Sequence, residues 1–266
     1  PVQQRRAEQR AAGQHGYRLT DGGLEVFPRL ADPGDASAYV LRDRRISTGM
    51  TALDDMLGDG YWPGSATLCA GPTGVGKTIM GLQFISRGAA RGEPGVVASL
   101  QENRTQLQRV ADAFSWTLDG DIEVMYRSPV SIQIDEWVYE LLGTVDRIGA
   151  ARVLIDSLFD LQLAAGDSVR FREYMYSLTQ RCSRAGVSLF MTSEVPELFD
   201  VSRLSDYGVS HLSDNVLLLQ YRREGADVRR AITVLKARST RNVTEVREFT
   251  IGPDGITVGG TFDDRA

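Results

Sequence analysis

At residues 71–78 the chain reads Gly71-Pro72-Thr73-Gly74-Val75-Gly76-Lys77-Thr78. This stretch fits the pattern G-x-x-x-x-G-K-[ST]. In that pattern, backbone N–H groups of a glycine loop surround a polyphosphate, the lysine contacts the outer phosphates and the hydroxyl binds Mg²⁺. Glycine suits the loop because it adopts positive φ angles and lets the amides approach phosphate oxygens. The stretch predicts a nucleotide site, and the alternative is a glycine turn without a ligand.

The segments on either side of this loop support a nucleotide site. Residues 66–70 form a short apolar run typical of a buried strand, and residues 79–85 have the apolar spacing of a helix. A helix that begins directly after the loop directs the positive end of its dipole toward a bound anion. Strand, loop and helix therefore follow one another in the order that phosphate binding requires.

Composition narrows the class of protein. The chain has 266 residues, 42% of them hydrophobic, and a net charge of −5. This length suits one domain with attachments, and the acidic charge argues against a nucleic-acid partner. Because no apolar run approaches the roughly 18 residues of a membrane span, no membrane partner is expected. The start at Pro1 lacks a secretory leader and suggests a fragment. Two cysteines suit the core of a cytoplasmic protein.

The middle of the chain alternates between strand and helix patterns, which is typical of parallel strands joined by crossover helices. After about residue 208 the pattern changes to strands and turns, which we expect to add antiparallel strands at one sheet edge. The sequence thus predicts an α/β fold with a mostly parallel twisted sheet, flanking helices and antiparallel C-terminal strands. The expected parallel strands are 66–70, 95–100, 122–126, 151–155 and 187–192, the helices 77–90, 105–115, 132–148 and 169–186, and the late strands 216–221, 230–235 and 246–249.

Two segments share a hairpin pattern. Residues 17–26 and 249–258 both alternate apolar and polar residues around a glycine turn, with apolar positions in register. The first copy is interpreted as the end of a preceding similar domain, and the alternative is two unrelated hairpins with common turn chemistry. This interpretation divides the chain into a tail and linker at 1–45 and a main domain at 46–260.

Polar residues follow three of the predicted strands. They are Gln101-Glu102, Asp156-Ser157 and Thr192-Ser193-Glu194. Ligands of open α/β sheets bind beyond the carboxyl ends of the strands, so these residues are candidates for the site. An aspartate at the tip of a buried strand is typical of the second nucleotide motif, where it orients Mg²⁺. Asp156 and Thr78 are therefore the predicted metal ligands, with a plain strand-end cap as the alternative for Asp156.

Taken together, these motifs resemble the KaiC family of circadian-clock-type ATPases in the RecA-like superfamily. The resemblance covers about 46–258, and residues 15–30 resemble the end of a first tandem domain. It implies a RecA-like fold, a homo-oligomeric ring that is a hexamer in the family, and ATP at each subunit boundary. The stretches that carry it are Ile46-Ser47-Thr48-Gly49 with Leu53-Asp54, residues 71–78, Ser99-Leu100-Gln101-Glu102, Val153-Leu154-Ile155-Asp156-Ser157 and Leu235-Lys236-Ala237-Arg238.

The resemblance gives the basic residues of a late strand a role. In the family, a Lys-x-Arg pair extends across the subunit boundary toward the neighbour's phosphates, which here implies Lys236 and Arg238. Alternation along a strand directs these two side chains to one face, and we expect Arg230, six residues before Lys236, to share that face and assist. The alternative is a solvated basic strand face.

The residue that activates water departs from the family pattern. Family members usually have adjacent glutamates after the second strand, and the first is generally assigned as the base. Here that first position is Gln101, which can orient water but cannot take its proton. We therefore expect a slow ATPase in which Glu102 is the base. The alternative is a nucleotide-gated switch with little hydrolysis.

The sequence is compatible with three function classes: a ring ATPase with regulatory protein partners, an ATP-gated scaffold, and a DNA-binding recombinase accessory. The third is disfavoured because stretches 158–168 and 195–209 carry five acidic residues against one cation. Clock members that phosphorylate themselves carry adjacent Ser and Thr before a strand like 216–221. The corresponding pair here is Ser210-His211, so Ser210 is a candidate phosphorylation site and an autokinase activity stays open.

Overall fold

The computed structural model describes residues 15–30, 43–130, 132–195 and 211–262. The helices are α1 (Thr51–Met56), α2 (Lys77–Ala89), α3 (Arg104–Asp112), α4 (Ile134–Ile148), α5 (Leu158–Ala165) and α6 (Ser168–Ala185). The strands are β1 (Gly16–Thr20), β2 (Gly23–Phe27), β3 (Ala66–Gly71), β4 (Gly95–Ser99), β5 (Ile122–Tyr126), β6 (Arg152–Asp156), β7 (Ser188–Glu194), β8 (Asn215–Glu224), β9 (Asp227–Ala237), β10 (Arg247–Gly252) and β11 (Gly255–Thr261).

A nine-stranded sheet forms the centre of the molecule, in the order β11-β10-β9-β8-β3-β7-β6-β4-β5. The strands from β8 to β5 in this order are parallel, whereas β9, β10 and β11 pair antiparallel. The predicted mixed α/β class, with antiparallel C-terminal strands, is therefore confirmed. Because β3 and β7 lie in the middle, the loop that follows β3 is held between paired strands on both sides.

One late strand does not pair as predicted. β8 was expected to join as an antiparallel strand, but it lies parallel to β3, with Thr67 opposite Asn215. Residues 195–214 separate β7 from β8. A connection of roughly a dozen residues or more is long enough for a parallel crossover. The antiparallel part of the sheet therefore begins one strand later than predicted.

Helices cover both faces of the sheet. α4, α5 and α6 pack on one face around Trp137, Leu161 and Phe171, and α1, α2 and α3 pack on the other. Strand residues alternate between the two faces, so that Ile155 belongs to the first cluster and Leu154 to the second. Burial on both faces explains why the central strands are mostly apolar instead of alternating between apolar and polar residues.

The four predicted crossover helices and five parallel strands all occur, with ends that differ from the prediction by a few residues. Helix α5 was not predicted, since no helix was expected between strand 151–155 and helix 169–186. Its apolar residues do not mark one face clearly: Leu158 and Leu161 are buried, whereas Phe159 and Leu163 are exposed. Such a short helix is stabilised by packing rather than by its own pattern.

Two hairpins have the same register, as the sequence suggested. In β10–β11 the apolar side chains pack on the α2 side of the core, whereas the four corresponding residues of β1–β2 are between 49% and 76% exposed. The other face of β1–β2 is attached to α4 through an ion pair between Arg18 and Glu136. The corresponding pairs are Tyr17–Val26 with Phe249–Val258 and Leu19–Leu24 with Ile251–Ile256.

Within the described ranges, no helix has both the length and the apolar character needed to cross a bilayer. Both cysteines, Cys69 and Cys182, are buried and free. The prediction that they fill the core is therefore confirmed.

Helix α2 packs closely on the sheet because it carries small residues where it approaches the strands. A Cβ added at Gly88 would lie 2.3 Å from Nε of Arg152, a fully buried side chain. That guanidinium is held by Glu93 and by the carbonyl oxygens of Ser47 and Phe84, so it has little freedom to move aside.

We therefore predict that Gly88→Ala lowers the free energy of unfolding by roughly 1–3 kcal/mol through overpacking, despite the better helix propensity of alanine. The matched control is Gly143→Ala in α4, where nothing lies within 4 Å of the added Cβ. This control should raise stability by about 0.5–1 kcal/mol. Urea unfolding of both variants measures the difference, and a stabilised Gly88→Ala chain would contradict the prediction.

Candidate functional site

A cavity of about 350 Å³ lies at the carboxyl end of the central strands, where the predicted loop and strand-tip residues meet. β3, β6 and β7 end beside one another there, so the residues that follow them converge. The lining residues are Thr73, Gly74, Gly76, Lys77, Thr78, Ile79, Gln101, Glu102, Val110, Asp156, Ser157 and Glu194.

The glycine loop has the backbone conformation that its sequence predicts. Gly74 and Gly76 have φ angles of 77° and 116°, values that disfavour other residues. A Cβ at Gly71 would lie 2.7 Å from the carbonyl oxygen of Leu219 on β8, so only glycine fits there. Val75, between these positions, is fully buried and anchors the loop in the core. α2 begins at Lys77 with its N–H groups directed at the loop.

The side chain of Lys77 turns back onto the glycine loop and binds its backbone. Lys77 Nζ donates to the carbonyl oxygens of Gly71 and Pro72, at 2.8 Å each. Burial lowers the pKa of Lys77 from its ordinary value, and the nearby Glu194 carboxylate acts in the opposite direction. Glu194 also accepts a hydrogen bond of 2.5 Å from the Thr73 hydroxyl. A desolvated cation held this way is suited to exchange carbonyl partners for phosphate oxygens.

The predicted metal ligands lie in contact. Thr78 Oγ1 donates to Asp156 Oδ2 at 2.7 Å, and the Thr192 hydroxyl donates to the other carboxylate oxygen, Oδ1. Hard oxygen donors of this kind suit Mg²⁺, which is usually bound by one or two protein groups together with phosphates and waters. Among the described residues no group of three or more His, Cys, Asp or Glu could hold a metal ion. The arrangement therefore fits a magnesium nucleotide rather than a metal held by protein alone.

Glu102 is the candidate base. Its backbone N–H donates to Ser99 Oγ at 3.1 Å, while its carboxylate oxygen Oε2 is buried without a hydrogen-bond partner. Burial, and secondly the charge of Asp156, raise the pKa of the Glu102 carboxyl above its ordinary value. A carboxylate of raised pKa with one unpaired oxygen on the cavity wall is suited to accept a proton.

Gln101 has a partner that sequence analysis did not assign. Its Nε2 donates to Asp160 Oδ2 at 2.8 Å, and the Ser157 hydroxyl donates to the same oxygen at 2.5 Å. Asp160 lies in the first turn of α5, the helix that was missed, and is only 7% exposed. No local pattern marks this residue, because its role depends on β4 and β6 being neighbours in the sheet.

Lys236 and Arg238 lie beside the amino-terminal end of β3, whereas the glycine loop follows its carboxyl-terminal end. The Arg238 backbone N–H donates to the carbonyl oxygen of Asp214, whose own N–H donates to Ala66 at the start of β3. The loop follows the other end of β3, about 17 Å away at the usual rise per residue. Arg238 also pairs with Asp214 at 3.3 Å, so neither contact brings it to the loop of its own chain.

Lys236 and Arg238 are both partly exposed to solvent. Lys236 Nζ donates to the carbonyl oxygen of Ser213, and burial together with the Arg238 charge lowers the pKa of Lys236. A cavity of about 360 Å³ lies beside them, with Trp62, Asp214 and Arg238 in its lining. Arg238 lines this cavity and Lys236 lies close enough to feel its charge, so the pair forms a basic surface suited to an anionic group.

Arg230 does not share the face of Lys236, contrary to the sequence prediction. Val216 lies opposite Lys236 but Leu217 lies opposite Val234, so β9 carries an extra residue at this point. This bulge reverses the alternation. Arg230 lies opposite Tyr221 on the other face and stacks over its ring. The Tyr221 hydroxyl lies 3.3 Å from the position of a Cβ on Gly74. Arg230 is thus near its own loop, and its assignment as a nucleotide-binding residue stays a prediction.

Comparisons with known proteins agree with this geometry. The family model described as "ATPase: KaiC" matches residues 46–261. The chain is 27% identical over 261 residues to the circadian clock oscillator protein KaiC of Rippkaea orientalis, which covers 94% of this chain and 48% of the relative. It is 32% identical over 227 residues to the circadian clock protein KaiC3 of a Synechocystis strain, covering 83% and 44%. The chain spans about half the length of the curated relatives it matches.

A solved structure is similar over most of the fold. The crystal structure of a KaiC-like protein from Pyrococcus horikoshii superimposes with a TM-score of 0.74 at 29% identity, covering 82% of this chain and 99% of that one. The RecA-like fold class that the family resemblance implied is confirmed. Ser210, the candidate phosphorylation site, lies outside the described residues.

The raised pKa of Glu102 has a consequence for stability. The folded chain binds this proton more tightly than the unfolded chain, so stability falls as pH rises from the unfolded value of about 4.3 through the raised folded value. We predict that Glu102→Gln is more stable than the natural chain at pH 7.5, and that the difference disappears below about pH 4, where both states are protonated.

Urea unfolding at the two pH values measures this effect. Glu245→Gln removes the same charge from an exposed pair with Arg247. It should change stability little, because such pairs contribute little. A Glu102→Gln chain that is less stable at pH 7.5 would contradict the account of a destabilised carboxylate.

Proposed function

This chain belongs to the KaiC ATPase family, and we propose that it binds ATP with Mg²⁺ and hydrolyses it slowly at sites shared between neighbouring subunits. The observation that carries the proposal is the separation of two half-sites on one chain. The complete glycine loop and the carboxylates lie at the carboxyl ends of the parallel strands, and the Lys236–Arg238 pair lies at the amino ends of the same strands. Neither half can complete the other within a single chain.

The loop half binds the substrate. N–H groups of the glycine loop and the start of α2 are directed where phosphates bind, and Lys77 is within reach of the outer phosphates. Thr78 and Asp156 would hold Mg²⁺. When bound, the ion neutralises charge that develops on the phosphate oxygens. Burial of Lys77 strengthens its interaction with an anion, because the local dielectric is low.

Glu102 is proposed as the base for the attacking water. It has an unpaired buried oxygen in the cavity, and its raised pKa strengthens it as a proton acceptor. Gln101, on the same wall, orients water but takes no proton. One carboxylate instead of an adjacent pair is consistent with slow turnover.

The second half-site comes from a neighbour. When the glycine-loop surface of one subunit meets the Lys236–Arg238 surface of the next, the contact is heterologous, and it closes into a ring when the rotation between successive subunits closes. Lys236 and Arg238 would then stabilise negative charge on the transferred phosphoryl group, as an arginine finger does. A hexamer is the ring size that the family resemblance implies.

The organisation of the longer protein is also a proposal. We infer that 46–260 is one ATPase domain and that 1–45 holds the tail and linker of a preceding domain of the same fold. The support is the shared hairpin register, with the apolar face buried in β10–β11 but exposed in β1–β2. Hydrogen exchange at β1–β2, compared with a longer chain that carries the upstream domain, tests this; unchanged protection would contradict it.

Two other functions have less support. An ATP-gated scaffold would need the same composite site but not the unpaired Glu102 carboxylate. A DNA-binding accessory would need basic loops, and residues 158–165 form helix α5, in which Asp160 is buried. A cytoplasmic location and regulatory protein partners are part of the proposal. Autophosphorylation at Ser210 stays a prediction, which the intact mass after incubation with ATP decides.

Removing the Glu102 carboxylate tests the chemistry. We expect Glu102→Gln to lower kcat for ATP hydrolysis by roughly 10²-fold or more, the usual contribution of a general base. ATP binding should be unchanged, because the substitution leaves the loop intact. Glu245→Gln is the matched control and should keep full turnover. Undiminished hydrolysis in Glu102→Gln would remove this residue from the role.

Mixing two inactive variants tests the shared site. The Glu102→Gln subunit keeps an intact Lys236–Arg238 pair, and the Arg238→Ala subunit keeps an intact glycine loop with Glu102. A mixed ring therefore contains subunit boundaries at which both halves of the site are intact. For random equimolar mixing these make up about a quarter of the boundaries. We expect hydrolysis near that fraction of the natural rate, where each variant alone has almost none.

The control replaces one partner by the double variant Glu102→Gln/Arg238→Ala, which cannot form an intact boundary with either single variant. It should restore nothing. Sizing of the mixtures with ATP verifies that subunits have assembled and exchanged. Exchanged rings without recovered hydrolysis would contradict a site that is shared between subunits.

A further inference from the structure

A buried carboxylate beneath the cavity has no part in the function proposed above. Asp160 is 7% exposed and accepts two hydrogen bonds at one oxygen, from Gln101 Nε2 at 2.8 Å and from Ser157 Oγ at 2.5 Å. It is not among the cavity-lining residues, whereas both of its donors are. Asp160 therefore acts on the cavity only through the residues that it holds.

The contact decides the orientation of the Gln101 amide. The two ends of a glutamine amide have nearly the same shape, and hydrogen-bond partners determine which end is which. A carboxylate can only accept hydrogen bonds, so the NH₂ end must be directed at Asp160. The carbonyl oxygen Oε1 is then the end left for the cavity, which Gln101 lines beside Glu102.

We propose that Asp160 is a positioning residue for hydrolysis, which fixes Gln101 so that its Oε1 accepts a hydrogen bond from the attacking water. The inference rests on the proposed ATPase function. In the step, a bond forms between the water oxygen and the γ-phosphorus while the bond from that phosphorus to the bridging oxygen breaks. ADP leaves with the electron pair, and the proton of the water passes to the Glu102 carboxylate.

The same contact explains why a glutamine occupies this position. A glutamate at residue 101 would bring a second carboxylate within hydrogen-bond distance of Asp160, and two such charges cannot both be ionised at that separation. Gln101 and Asp160 therefore form a matched pair. A change at one of them has a different effect depending on the other.

A double-substitution cycle tests the pair. Asp160→Asn presents either amide end to Gln101 and loses the fixed orientation, so kcat should fall roughly fivefold, the value of one hydrogen bond, with KM for ATP unchanged. Gln101→Glu alone should be no faster than the natural chain. Gln101→Glu combined with Asp160→Asn should exceed each single variant by roughly fivefold, because the new amide can donate to the new carboxylate.

Asp167→Asn is the matched control. Asp167 caps α6 by accepting from the Val169 N–H, and asparagine caps equally well, so kcat and thermal stability should both stay at the natural values. Unchanged kcat in Asp160→Asn, or a Gln101→Glu chain as fast as the combined variant, overturns the inference.

A crystal structure with a non-hydrolysable ATP analogue separates this inference from the proposed function. Absence of hydrolysis in the natural chain would overturn the proposed function. The inference is decided by whether Gln101 Nε2 stays within about 3.2 Å of Asp160 and Oε1 is directed at an ordered water. An amide turned away from Asp160 in that complex overturns it even in an active enzyme.

Discussion

The junction between β3 and α2 is the constraint on which the rest of the structure depends. β3 is paired on both sides, and the turn that follows it must pass the β8 backbone so closely that a Cβ at Gly71 would lie 2.7 Å from the Leu219 carbonyl oxygen. α2 then packs on the sheet through small residues, with Gly81 against Leu154 and Gly88 against Arg152. This packing holds the helix N-terminus, and with it the anion-binding N–H groups, in a fixed position.

The direction of the strands separates the functional groups into two sets. The carboxyl ends of parallel strands lie on the same side of the sheet. The residues that follow β3, β6 and β7 therefore bring Lys77, Asp156 and Glu194 into one cavity. β9 runs antiparallel to β8, and its last residues therefore lie beside the amino-terminal end of β3. A chain built this way carries the nucleotide loop and the basic pair on different surfaces, which is the condition for a site shared between copies.

Three carboxylates of the cavity region differ in their surroundings. Asp156 accepts hydroxyl hydrogen bonds from Thr78 and Thr192, which suits its proposed role as a metal ligand. Glu102 has an unpaired buried oxygen and a raised pKa, which suits proton transfer. Asp160 is buried beneath Gln101 and Ser157 and acts through them. Environment rather than residue type therefore separates the three proposed roles.

The sequence by itself determined the α/β class, nearly all the central elements and the loop half of the site, because these depend on local patterns. The glycines at residues 71–78 specify the backbone conformation of the loop, Lys77 and Thr78 supply its polar side chains, and apolar periodicity specifies strands and helices. The register of both hairpins also followed from local alternation and turn residues.

Only the tertiary structure decided the direction of β8, the face of Arg230 and the partner of Gln101. A single extra residue in β9 reverses every later side chain, and no periodicity in the sequence marks it. The contact between Gln101 and Asp160 joins residues 59 positions apart. It exists because β4 and β6 are neighbours in the sheet, and the pairing of strands is decided by packing of the whole chain rather than by any one segment.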